Sequence, residues 1–136
     1  MKYQIFDYDG IGYSKLFVHR DWRIAVLNYI DELEITKIPY VEAHQETDEV
    51  FVLLSGSATL FFAEINENQI TGFSKVQLEK HKVYNVPAGV YHTHTISPDC
   101  KLLIIEQENT DWHNSPKIYL DEQARKLLIN TYEENL

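Results

Sequence analysis

Residues 41–56, VEAHQETDEVFVLLSG, set one histidine and four acids (Glu42, His44, Glu46, Asp48 and Glu49) directly before the most apolar run of the chain. Side chains alternate between the two faces of a strand, so Glu42 and His44 share a face about 7 Å apart. Glu49 lies five positions past His44, and an unbroken strand would turn it the other way. The polar QETD between them reads as a turn or bend that lets both point inward from neighbouring strands. Glu49, Phe51 and Leu53 then share one face, with Val50, Val52 and Leu54 on the other. Both faces are apolar, which makes Glu49 an expensive carboxylate to bury alone, and Glu42 nearby adds like-charge repulsion. Two readings stand: a solvated acidic rim, or a pocket wall whose charge a bound cation relieves.

A second cluster adds weight to the pocket. In NVPAGVYHTHTIS (85–97), His92 and His94 again share a face, just after the tight turn Pro87-Ala88-Gly89. One histidine on a strand is most simply a packed or hydrogen-bonded residue. Two at this spacing, taken with His44 and Glu49, offer imidazole and carboxylate groups suited to a divalent transition metal.

Around these clusters, short β-type segments recur between turn signals: 23–29, 33–38, 49–54, 58–65, 73–79, 82–86, 91–96 and 101–107. Ser55-Gly56-Ser57 reads as the turn of a hairpin joining 49–54 to 58–65. Asn66-Glu67-Asn68 and Gly72 interrupt the stretch before 73–79. Even spacing of short strands favours a sandwich or barrel over a parallel α/β sheet. The spacing of Ala124, Leu127, Leu128, Thr131 and Tyr132 predicts one helix over 121–134, with Asp121 as its N-cap, and 109–116 reads as the loop before it. The expectation is one domain over residues 1–136.

Composition narrows the function classes. Of 136 residues, 44% are hydrophobic and 24% charged, ordinary values for a globular chain. Twelve Lys+Arg against 21 Asp+Glu give a formal charge of −9, which argues against a nucleic-acid partner. The start, MKYQIFDYDGIGY, has one lysine and no apolar stretch, so no signal peptide is expected, and no run is long enough to cross a bilayer. A single cysteine, Cys100, forbids an internal disulfide and fits a cytoplasmic chain. Cys100 reads as a strand residue rather than a nucleophile, and His19, His81 and His113 as surface or loop residues. No HExxH motif, phosphate loop, dinucleotide fingerprint or nucleophile elbow occurs.

His44, four residues, Glu49, six residues and Gly56 resemble the latter part of the first cupin motif, and Pro87-x-Gly89-x-x-His92 resembles the core of the second. Within that superfamily the chain resembles the small single-domain cupins that carry an H-x-x-T-D-E-V-F core. The resemblance implies an all-β fold: an antiparallel double-stranded β-helix, or jelly-roll barrel, of six to eight strands. Its core runs over about 22–108, with a pocket inside and the C-terminal α-helix outside. It also implies metal ligands at His44, Glu49 and His92. The first histidine position of the motif is Glu42 here, which ligates in its place, lies outside the ligand set, or marks a site without metal. The usual asparagine four residues past the last histidine is Ile96, and the glycine opening the second motif is His81.

The function expected from this resemblance is a cupin that holds a divalent transition metal (Mn, Fe, Ni or Zn) and acts on or binds a small molecule. Isomerase and dioxygenase chemistry both fit, with Glu42 as fourth ligand or general base and His94 as an acid/base. The alternatives are a metal-free module that binds a sugar or organic acid, and a metal-free acid/base isomerase. A homodimer is expected from the resemblance and from exposed sheet edges.

Overall fold

Ten strands build two five-stranded sheets in the computed structural model, which describes residues 2–134. Residues 1, 135 and 136 of the expected domain lie outside the described residues. The first sheet runs β1 (Tyr13–His19), β2 (Trp22–Asn28), β9 (Lys101–Gln107), β4 (Glu49–Ser55) and β7 (Val83–Val86) in spatial order. The second runs β10 (Lys117–Tyr119), β3 (Tyr40–Glu42), β8 (His92–Ile96), β5 (Ala58–Asn66) and β6 (Gln69–Gln77). All these neighbours pair antiparallel. The eight strands β2–β9 fall within the expected core of 22–108, and β1 and β10 flank it.

Alternation explains the packing. Glu49, Phe51 and Leu53 of β4 are buried, whereas Val50 and Val52 are partly buried and Leu54 is exposed, which is the face assignment expected from sequence. Phe51 and Leu53 join Ala25, Leu60, Leu102 and Ile104 in a core between the two sheets. Fully burying each large side chain of this kind contributes on the order of 1.5–3 kcal/mol. On the outer face of the second sheet, Phe61, Ile38 and Leu128 form a smaller cluster. Leu128 belongs to α1 (Glu122–Glu133), which packs on β6. Asp121 caps that helix as expected, its Oδ1 accepting from the Ala124 amide at 2.8 Å.

Four local expectations are revised. Ser55-Gly56-Ser57 is not a hairpin turn: β4 pairs with β7 and β9 while β5 pairs with β6 and β8, so this turn carries the chain from one sheet to the other. Gly56 has φ 73°, and a Cβ there would lie 2.6 Å from the Cys100 Cα, so glycine alone fits the crossing. Residues 33–38 are not a strand either. A 3-10 turn over Asp31–Leu33 and the turn after it place Ile38 in the outer cluster, which mimics alternation without pairing. Gly72 sits inside β6 rather than breaking it, and the break is the tight turn Glu67-Asn68, both with positive φ, between the paired Asn66 and Gln69. Cys100 lies just before β9 in a buried turn rather than in a strand. No helix among the described residues is long and apolar enough to cross a membrane.

Candidate metal centre

The opening stretch supplies two kinds of acid. Asp48 and Glu46 hold loops: Asp48 accepts from the Ala88 amide at 2.9 Å and from Asn85 Nδ2 at 3.0 Å, fixing the Pro87-Ala88-Gly89 turn. Glu46 accepts from Asn109 Nδ2 at 3.2 Å and Asn114 Nδ2 at 3.0 Å, anchoring the 109–116 loop. Glu42 and Glu49 instead line a cavity of about 340 Å³ between the sheets, together with His44, His92 and His94. The solvated-rim reading therefore holds for one pair of acids and the pocket reading for the other.

His44 and Glu49 face each other across the cavity, His44 from the segment after β3 in the second sheet and Glu49 from β4 in the first. His44 follows β3 after a single residue, and the bend at 45–46 returns the chain to β4. His44 Nε2 lies 3.2 Å from Glu49 Oε1, and His92 Nε2 lies 2.8 Å from the same oxygen. The donor atoms of His44, Glu49 and His92 lie within 4.8 Å of one another, and all three residues are buried. Neither Glu106, whose Oε2 lies 4.0 Å from His44 Nε2, nor Glu42 joins that group. Glu42 is partly buried, with Oε1 3.8 Å from His44 Nε2, and it sits beside His92 in the β3–β8 register.

Hydrogen bonds on the far side of each ring set its tautomer. His92 Nδ1 lies 2.9 Å from the Val90 carbonyl, to which it donates. Ser115 donates to Asn114 Oδ1 at 3.3 Å, which leaves its oxygen to accept from His44 Nδ1 at 2.7 Å. With Nδ1–H committed on both rings, both Nε2 atoms aim at one carboxylate oxygen. Two nitrogen lone pairs facing a carboxylate repel each other unless a proton or a cation lies between them. A metal fits this donor set, and each ring has the partner at its other nitrogen that metal-bound histidines ordinarily have.

Burial works against the charged form of Glu49, but a proton on each ring would bring hydrogen bonds and charge that outweigh it and hold the carboxyl well below the usual range. For His44, burial opposes protonation, and the bond to Glu49 reverses this and raises the ring. Burial raises Glu42, partly offset by His44 and Lys117. His94 lines the same cavity with its Nδ1 buried and unpartnered, and burial pushes its pKa down to about 4. It is a neutral imidazole at physiological pH.

Three residues at the site were not singled out from sequence. Arg23 and Glu106 form a buried ion pair at 2.5 Å beside Glu49, and Ser115 holds His44 from a loop 71 positions away. A signal for two of them existed. Arg23 shares its strand face with Ala25 and Leu27, and Glu106 shares its face with Leu102 and Ile104, so each is a charge at an inward position. Ser115 had no comparable signal. His19, His81 and His113 are exposed, as expected, and none of them lines the cavity, although His113 stacks on Trp112 at its wall.

No family model matches the chain, and no curated protein matches it. Solved structures do. A cupin-2 domain containing protein from Shewanella frigidimarina is 20% identical with a TM-score of 0.52, over 74% of this chain and 85% of that one. KdgF from Halomonas sp. is 10% identical at a TM-score of 0.50, over 73% and 79%. A Streptomyces PAC13 variant with uridine is 8% identical at a TM-score of 0.56, over 90% and 97%. Likeness at such identities establishes the architecture alone.

Proposed function

We propose that this cupin-fold chain holds a divalent transition metal (Mn, Fe, Ni or Zn) at His44, Glu49 and His92 and binds a small molecule in the cavity beside it. The observation that carries the reading is the convergence of two Nε2 atoms on Glu49 Oε1, each ring fixed by a bond at its other nitrogen. Two histidines and one carboxylate leave open positions for an external ligand. A bound ion supplies Lewis acidity toward an oxygen of that ligand.

The chain's own residues add the rest. Glu42, partly buried and with a raised pKa, is placed to take or return a proton at the cavity wall. His94, neutral and without a partner at Nδ1, offers the ligand a hydrogen bond or an acid/base group. Leu27, Leu33, Ile38, Tyr40 and Trp112 supply apolar wall, which suits a ligand with a hydrocarbon or ring face.

Elemental analysis of the purified, tag-free protein beside a His92→Ala variant tests the reading. Near-stoichiometric metal in the first and its loss in the second are expected. A chain that stays metal-free after dialysis against each ion sinks the metal reading and leaves a metal-free binding or acid/base pocket.

A further inference from the structure

Strands β2, β9 and β4 lie side by side, and their register sets three charged side chains in a row on the inner face of the first sheet. Arg23 pairs with Glu106 across β2–β9. Continuing the β4–β9 register one step beyond Val50–Ile105 sets Glu49 opposite Glu106. Two carboxylates directly opposite each other on a buried face destabilise a sheet unless something intervenes.

The bonding of Glu106 is lopsided. Arg23 Nη2 and Nε reach its Oε1 at 2.5 Å and 3.2 Å, and the Tyr13 hydroxyl donates to the same oxygen at 3.2 Å. The other Arg23 hydrogen bonds go to the Glu108 and Thr110 carbonyls, and Nη1 also lies 3.8 Å from Glu108 Oε2, so none of its hydrogen bonds reaches Glu106 Oε2. Glu106 is only 6% exposed, and Oε2 is buried with no hydrogen-bond donor other than a proton shared with Glu49. That oxygen lies 4.0 Å from His44 Nε2, the atom that also faces Glu49. An unsatisfied buried carboxylate oxygen is destabilising, because its desolvation goes uncompensated. A cation between Oε2 and the Glu49–His44 pair would relieve both the repulsion and the vacancy. Glu42 has no such need, since its partly buried carboxyl reaches solvent and Lys117 lies beside it in the β10–β3 register.

We propose that Glu106 Oε2 is the fourth protein ligand of the centre, with Arg23 and Tyr13 as positioning residues that fix Oε1 and turn Oε2 inward, and that Glu42 remains outside the ligand set. The proposal rests on the metal reading above. Glu106 thereby replaces, from the opposite sheet, the donor that the first motif lacks at position 42.

Titration of the metal-stripped protein with Co(II), followed by calorimetry and by visible absorption, tests it on the wild type and on the Glu106→Gln, Glu42→Gln and His92→Ala variants. Expected are a loss of more than about tenfold in affinity and an altered absorption band for Glu106→Gln, with Glu42→Gln within about threefold of wild type and its band unchanged. Because Glu106→Gln strands Arg23, the double variant Arg23→Met/Glu106→Met is measured as well, since removing both partners of a buried pair preserves folding better than removing one. It should lose the same affinity. Wild-type affinity and spectrum in either Glu106 variant, with His92→Ala binding lost, overturn the role of Glu106 alone. No Co(II) uptake by the wild type overturns the metal reading and this proposal together.

Discussion

Ser115 Oγ lies 2.7 Å from His44 Nδ1, so a loop residue 71 positions away decides which nitrogen of the ring faces the cavity. That loop is itself tied to the stretch it serves, because Asn114 reaches Glu46 at 3.0 Å. Ser115→Ala removes the acceptor and frees the ring to change tautomer. We expect metal affinity to fall about tenfold or more with the fold intact, as for other partners of ligand histidines. Calorimetric titration beside a circular dichroism melt checks both parts. Unchanged affinity would show that the ring is held by packing alone.

His94 presents the opposite case, a partly buried ring on the cavity wall with its Nδ1 buried and unpartnered. Replacing it with an apolar side chain removes a desolvation penalty of about 1–3 kcal/mol. The His94→Leu variant should therefore melt higher than the wild type while binding ligand less well. A lower melting temperature would mean that the ring is integral to the packing against Phe51, whose centroid lies 5.9 Å away.

His81 has φ 70°, in the left-handed region that favours glycine. Its side chain is exposed, and its backbone amide bonds the Leu53 carbonyl at 3.1 Å, so a glycine can occupy the same conformation with that bond kept. The left-handed conformation costs an ordinary residue about 1–2 kcal/mol, of which the greater freedom of an unfolded glycine chain returns a part. His81→Gly should raise unfolding free energy by about 0.5–1 kcal/mol in urea titration, with metal content unchanged. A loss of stability would show that the histidine side chain makes a favourable contact.

Cys100 is 4% exposed, and burial, with Asp99 adding to it, pushes its thiol up to about 11. The raised pKa means that the folded chain keeps its proton where the unfolded chain, which titrates near the ordinary value of 9.0, has lost it. Its contribution to stability is therefore constant below pH 9 and is lost as pH rises from about 9 toward 11. At pH 8 a thiol reagent should label the native protein slowly and the urea-unfolded protein fully. Rapid labelling of the native form would contradict the buried turn.

The sequence was most legible where a single physical signal ruled. Alternation in β4 assigned Glu49, Phe51 and Leu53 to one buried face, and two separated clusters brought His44, Glu49 and His92 together. It was least legible where a turn looked like its commonest use. Ser55-Gly56-Ser57 has a hairpin's composition, yet its partners are set by Cys100 and Ser97, far along the chain, and no local pattern reveals that. β1 escaped because it is an edge strand with few buried residues, and β10 because it is three residues long. Arg23 and Glu106 were visible as inward charges, but only their strand pairing shows that they meet.

Both sheets contribute to the centre: Glu49 and Glu106 come from one, His92 and the segment after β3 from the other. His92 and Glu49 are 43 positions apart, and His44 and Ser115 are further apart still. Few of these donors are neighbours before the long-range strand pairing is complete, and such non-local pairing is the slow part of folding. An ion captured there would arrive after the rate-limiting step. It should leave the refolding rate of the stripped protein nearly unchanged and slow its unfolding, so that the bound ion acts as a latch on the finished barrel rather than as a seed for it.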